Sequence, residues 1–265
     1  MNKKAVVIGC GPAGVLTAHA CHLHGLQTTV VSPLVAMSKQ YGAQYVHSKI
    51  DDVDHESFFL HYEYHGREDN YRKKIYGDKV PVNGTSWRRF RGITEAWPIY
   101  DIYQELFSRY RQSMKTLKVD PKNIWDLVDT YDYVFNTAPL DSLAPMGEYR
   151  VEYVWVVSSR AEKDVNENEI HYYGDERPAY RSSQIAGFRS IEFPEKAYDR
   201  IPWRLRRKAV KVAKPLDCLV ELPGVYRLGR YGKWQKGVLV DQAFHETMNI
   251  LEKRLAWEST LPRQK

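Results

Sequence analysis

The first thirty residues constrain this chain most. Lys4-Ala5-Val6-Val7-Ile8 is a short apolar run, the pattern of a strand buried on both faces. Gly9-Cys10-Gly11-Pro12-Ala13-Gly14 follows at once. Val15 to His24 reads as a helix stopped at Gly25, and Thr28 to Val31 as a second strand. A strand, a glycine-rich turn, a helix and a parallel strand in this order form the context that a dinucleotide fingerprint requires. Gly9 permits a tight turn out of the strand, Gly11 lets a pyrophosphate approach the backbone, and Gly14 lets the helix pack close to the strand. Pro12 and Ala13 open the helix, whose first N–H groups and positive dipole end favour phosphate.

Ser32 closes the second strand. The usual fingerprint places Asp or Glu there to accept hydrogen bonds from a ribose. Ser32 offers no carboxylate, so the ribose is held more weakly or by another group. A serine also tolerates a 2′-phosphate, which keeps an NADP alternative open.

The 265 residues suffice for one large or two modest domains. No apolar run approaches the roughly 20 residues of a membrane span. Lys3 and Lys4 lead directly into the first strand, so the N-terminus reads as the start of the fold and not as a signal peptide. Cys10, Cys21 and Cys218 give no disulfide framework, and no metal-ligand spacing stands out. A reducing, cytoplasmic setting is the expectation. The net charge of +6 favours a polyanionic partner. The basic segments Arg88 to Arg91 and Arg204 to Lys214 make DNA a candidate partner, beside a small-molecule or nucleotide substrate. The plainer meaning of such a run is a solvated face. Oligomeric state is not legible.

Along the chain, Ser57 to Tyr64 and Tyr71 to Tyr76 read as two strands joined by a turn around Gly66 to Asn70. Val80 to Gly84 is a turn signal. Ile99 to Met114 has the spacing of an amphipathic packing helix. Tyr131 to Phe135 is a strand ending in Asn136-Thr137-Ala138-Pro139, and Leu140 to Ala144 a helical turn. Tyr149 to Val157, Ile170 to Tyr173, Tyr180 to Ala186 and Ser190 to Phe193 read as successive strands, the pattern of an inserted, mostly antiparallel sheet. Val225 to Leu228 is a strand, Gly229 to Gly232 a turn, and Val238 to Leu255 a long helix. His19 and His22 read as structural.

Four segments resemble, in order, the FAD-binding proteins of the glutathione-reductase-like class, which includes amine oxidases and UDP-galactopyranose mutase. They are Val7 to Gly14, Tyr41-Gly42-Ala43-Gln44-Tyr45-Val46-His47, Phe135 to Pro139, and Leu228 to Gly232 with Asp241-Gln242. The compact form is similar to small bacteriophage flavoproteins, some associated with hypermodification of thymine in DNA. The resemblance implies an α/β fold: a Rossmann-like FAD-binding domain with an inserted, mostly antiparallel β substrate domain. The expected boundaries are 1–50 plus 120–145 and 222–258 for the first, and 51–119 with 146–221 for the second.

It also implies FAD as cofactor, held by Gly9, Gly11, Pro12, Ala13, Gly14, Ser32, Gln44, Thr137, Ala138, Gly229, Arg230 and the helix start at Val238. Gln44 and His47 are the candidates beside the flavin ring, and His47 has a side chain able to move a proton near neutral pH. The implied activity is amine-oxidase-like: hydride removal from a C–H beside an amine or hydroxyl of a polar substrate, an amino-acid-modified thymine nucleotide included. The alternatives are mutase- or lyase-like chemistry on reduced FAD, and a nucleic-acid-associated nucleotide fold without catalysis.

Overall fold

A computed structural model describes residues 3–42, 44–77, 90–160 and 168–259. In chain order its elements are β1 (Lys4–Ile8), α1 (Pro12–Leu23), β2 (Gln27–Ser32), β3 (Tyr45–Val46), β4 (Phe58–Gly66), α2 (Glu68–Tyr76), β5 (Phe90–Pro98), α3 (Ile99–Arg109), β6 (Met114–Thr116), α4 (Ile124–Thr130) and β7 (Tyr133–Asn136). They continue with β8 (Tyr149–Arg160), β9 (Asn168–Gly174), β10 (Arg181–Ile185), β11 (Phe188–Pro194), α5 (Trp203–Arg206), β12 (Val210–Cys218), β13 (Val225–Arg227), α6 (Gly229–Lys233) and α7 (Gln242–Ser259). The chain divides into two compact units: Met1–Ser38 with Ile102–Tyr149 and Asp217–Lys265, and Lys39–Asp101 with Arg150–Leu216. Residues 102–119 thus group with the first unit and 39–50 with the second, unlike the boundaries drawn from the sequence.

The first unit is built on a parallel sheet of order β13-β7-β1-β2-β6. Central strands buried on both faces are apolar almost continuously, and Ala5, Val6, Val7 and Ile8 are all buried. Val6, Ile8, Val31 and Val134 join Ile124 of α4 in one cluster, and α1 packs against β1, β2 and α7. α1 is buried nearly all round, so it has no polar stripe to reveal its orientation. The strand order reverses between β1 and β7. In open α/β sheets a ligand binds at such a point, beyond the carboxyl ends of the strands. Gly9 and Thr137 stand there, each just past its strand.

The second unit carries an eight-stranded sheet of order β12-β8-β11-β10-β9-β4-β5-β3. The pairs β3–β5, β4–β5, β9–β10, β10–β11 and β11–β8 are antiparallel, whereas β4 and β9 run parallel. The α/β class with one parallel and one mostly antiparallel sheet is therefore present.

Several elements differ from the sequence reading. Tyr71 to Tyr76 is not a strand but the body of α2. Glu68 and Asp69 suit its N-terminus, Lys73 and Lys74 its last turn, and Arg72 pairs with Glu68 one turn back at 2.6 Å. Tyr71 and Ile75, four apart, turn inward: Ile75 is buried with Val154, Val156 and Tyr180. Lys74 Nζ then shares its three N–H donors among the carbonyls of Tyr173, Asp175, Arg177 and Ala179 at 2.7–3.2 Å, fastening the β9–β10 connection. α3 ends at Arg109, not Met114. A 3₁₀ turn follows, closed by Ser113 N–H and Oγ on the Tyr110 carbonyl, and Met114 enters β6 beside Val30. Gly229 to Gly232 is helical in α6. The turn at Val80 to Gly84, Ala43, and Trp87 to Arg89 lie outside the described residues.

Candidate functional site

The cradle after β1 is built from backbone. Gly9 N–H donates to the Val31 carbonyl at 2.8 Å, and its φ of +103° is one that side chains rarely adopt. A Cβ on Gly14 would fall 1.9 Å from the Gly9 carbonyl oxygen, so Gly14 is dictated by the contact of helix with turn. Gly11 differs. Its backbone is extended, and a Cβ there would meet nothing closer than Ser38 Oγ at 3.9 Å. Packing does not demand glycine at position 11; an approaching ligand would. Gly11 caps α1 with no side-chain hydrogen bond, Pro12 follows, and no acidic residue lies in the first turn. The orphan N–H groups and positive dipole of the helix thus keep no counter-charge from the chain's own first turn.

The surroundings hold this turn rigid. Tyr103 Oη donates to the Cys10 carbonyl at 2.9 Å and accepts from Ser38 N–H at 3.0 Å. Burial raises the Tyr103 pKa, which keeps its hydroxyl protonated. Cys10 Sγ reaches the Leu34 carbonyl at 3.4 Å, and Ser32 Oγ donates to the same oxygen at 3.0 Å. The residues after β2 are thereby tied over the glycine turn. Sequence reasoning missed Tyr103 and Cys10: a tyrosine on the apolar face of a helix reads as core, and a lone cysteine carries no pattern.

Thr137 and Ala138 lie behind Gly9. Thr137 Oγ1 donates to the Ile8 carbonyl at 2.9 Å, so this hydroxyl stitches β7 to β1. Ala138 N–H is shared between the Ile8 carbonyl and Asn136 Oδ1, each at 3.1 Å. Gly229 approaches the first turn of α1, where its Cβ would lie 2.8 Å from the Ala13 methyl. Arg230 Nη2 donates to the Val238 carbonyl at 3.4 Å. Val238 is not the start of a helix, which corrects the sequence reading. α7 begins at Gln242, whose Oε1 accepts from Leu239 N–H at 2.9 Å in a capping-box arrangement. The first unit thus brings together Gly9, Gly11, Pro12, Ala13, Gly14, Ser32, Thr137, Ala138 and Gly229, with Arg230 turned to Val238. His19 and His22 serve packing: His19 Nδ1 bonds Tyr110 Oη at 2.7 Å, and His22 stacks on the Tyr110 ring at 4.3 Å.

Gln44 and His47 belong to the second unit. Gln44 is buried; its Nε2 donates to the Gly42 carbonyl at 3.3 Å, while its Oε1 has no protein hydrogen-bond partner among the described residues. A buried acceptor without a donor is costly unless something else supplies one. His47 is exposed, edge-on to Tyr45 at 4.7 Å. Beneath Gly42 lies a buried ionic cluster. Arg181 Nε and Nη2 both reach Glu192 Oε1, at 2.7 and 2.5 Å, while Tyr180 Oη and Lys214 Nζ donate to Oε2. A Cβ on Gly42 would lie 3.1 Å from Glu192 Oε1. Burial would raise the Glu192 pKa, but the charges of Arg181 and Lys214 outweigh it and hold the carboxyl at about 2. Sequence reasoning missed this cluster, because Glu192 alternates with Ile191 and Phe193 as a solvent-facing residue would.

No protein-family model and no curated protein matches the sequence. Solved structures do match. A reduced UDP-galactopyranose mutase aligns with a TM-score of 0.62 at 12% identity, covering 97% of this chain and 96% of the other. A flavoprotein/dehydrogenase from Cytophaga hutchinsonii aligns at 0.55 and 9% identity, covering 99% and 80%. Klebsiella pneumoniae HpxO, solved with FAD and uric acid, aligns at 0.50 and 10%, covering 94% and 79%. At these identities the likeness is one of fold: the chain has the Rossmann-type architecture of these flavoproteins.

Proposed function

We propose that the chain is an FAD-dependent oxidoreductase that removes hydride from a C–H beside an amine or hydroxyl of a polar substrate. The observation that carries the reading is the cradle at the β1–β7 switch point, where Gly9 and Gly14 are fixed by contacts and Gly11 is open. Flavoprotein neighbours across nearly the whole chain support FAD over NADP. Within the second unit, the buried Gln44 Oε1, with no protein donor among the described residues, suits an incoming polar group. FAD, when bound, supplies the two-electron acceptor. Gly11 and the first N–H groups of α1 would hold the pyrophosphate, and Tyr103 would keep the turn in shape for it. Ser32, engaged with Leu34, gives the ribose no carboxylate. The family resemblance assigns Gln44 to a polar edge of the ring and the exposed His47 to the substrate proton.

The test is rapid mixing with amine and hydroxyl donors, amino-acid-modified thymine nucleotides among them. Flavin reduction by one class, slowed in His47→Ala while that variant stays yellow, supports the reading; equal rates in the two proteins remove His47 from it. The alignment with UDP-galactopyranose mutase favours a second reading, in which reduced FAD serves without net oxidation. Turnover only after prereduction, with no donor oxidised, selects it.

A further inference from the structure

The second unit holds a cluster that neither reading uses. Glu63 and His65 project from β4, two residues apart on one face. His171 lies opposite Glu63 in the parallel β4–β9 register, and Glu169 stands two residues before it on the same face. His65 Nε2 and His171 Nδ1 are 3.1 Å apart, and Glu63 Oε2 is 3.8 Å from the first and 3.7 Å from the second. All three side chains are mostly buried, at 14–24% exposure.

The triangle has the dimensions of a cation site. The point equidistant from its three corners lies about 2.1 Å from each, which is the Zn–N and Zn–O bond length. The outer contacts orient the donors. His171 Nε2 lies 3.3 Å from Glu169 Oε2; donating there leaves the lone pair of Nδ1 toward the centre, the carboxylate–histidine arrangement common around bound metals. Arg91 Nε forms an ion pair with Glu63 Oε1 at 3.0 Å, while Oε2 is the carboxylate oxygen that faces both imidazoles. Two imidazoles and one carboxylate suit Zn²⁺, Co²⁺ or Fe²⁺ and disfavour Mg²⁺ or Ca²⁺, which take oxygen ligands.

We infer that Glu63, His65 and His171 form a binding site for one divalent transition-metal ion, set on the parallel junction of β4 and β9, with Glu169 orienting His171. Three protein ligands leave the ion a position open to water or an anion. Sequence spacing hides the site, since 106 residues separate His65 from His171. The inference is independent of the flavin reading.

The experiment is equilibrium dialysis of the full chain against Zn²⁺ alone, then Co²⁺ to record the ligand-field bands. One equivalent per chain is expected, with affinity down at least ~10-fold in His65→Ala, His171→Ala and Glu63→Gln, about 10- to 100-fold in Glu169→Gln, and unchanged in His24→Ala. Glu63→Gln keeps the shape of the side chain, so circular dichroism of that variant separates lost ligation from lost fold. Absence of stoichiometric Zn²⁺ and Co²⁺ binding by the wild-type chain would overturn the assignment, as would unchanged binding in the folded ligand variants.

Discussion

At the residue scale, glycines of one motif have different physical duties. Gly14→Ala drives a Cβ to 1.9 Å from the Gly9 carbonyl, an overpacking expected to cost about 3 kcal/mol. Gly11→Ala enters open space and should cost about 1 kcal/mol through cap preference alone. Chemical denaturation of the two variants checks the contrast; equal losses would show that Gly11 is held by packing after all. Glu192 sets a pH dependence. Its folded pKa is depressed to about 2, so the unfolded chain binds the extra proton as pH falls, and stability present above about pH 5 declines toward pH 2. Glu192→Gln should flatten that decline and, by leaving the half-buried Arg181 without its charge partner, cost about 3 kcal/mol at neutral pH. Thermal melts from pH 7 to 2 read both. The glycine turn was legible in the sequence because its spacing is local. Tyr103, Glu192 and His171 were not, because their roles depend on partners 93, 11 and 106 residues away.

At the element scale, the sequence yields strands and helices wherever burial follows one period. β1, β2 and β7 are apolar runs because both their faces are covered, and the strands β8 to β11 fall close to their expected places. α2 was misread because Tyr71, Tyr76 and their neighbours suit a strand by composition. The helical choice is made by Ile75 and Tyr71 meeting the sheet together and by Lys74 reaching four carbonyls. The start of α7 was misplaced because Val238-Leu239-Val240 suits a helix by composition although α7 begins only at Gln242. Lys74→Met keeps the stem and removes the donors. It should cost about 2 kcal/mol, the value of a charged hydrogen-bonding group, and speed amide exchange in the β9–β10 connection specifically. Exchange accelerated uniformly over the chain would contradict a local fastening role.

At the scale of the whole molecule, no described helix is long and apolar enough to cross a membrane. The excess positive charge is partly spent internally. Lys214 faces Glu192, Lys211 pairs with Glu195 at 2.5 Å, and Arg206 bonds the Ile201 carbonyl at 3.1 Å. With those three side chains engaged inside the chain, we propose a solvated face for Arg204 to Lys214 rather than a phosphate track. Binding to duplex or single-stranded DNA should therefore be weak at 0.15 M salt; a steep loss of tight binding with rising salt would show several phosphates neutralised and restore DNA as a partner. The proposed FAD cradle rests on an open Gly11 between two closed glycines. The measurement that tests it most directly is the FAD-to-protein ratio, after reconstitution, of the wild-type chain and of a Gly11→Val variant, with circular dichroism on both. About one FAD per wild-type chain and loss of FAD from a folded variant are expected. A wild-type chain that refuses added FAD, or a variant that keeps it, would contradict the assignment.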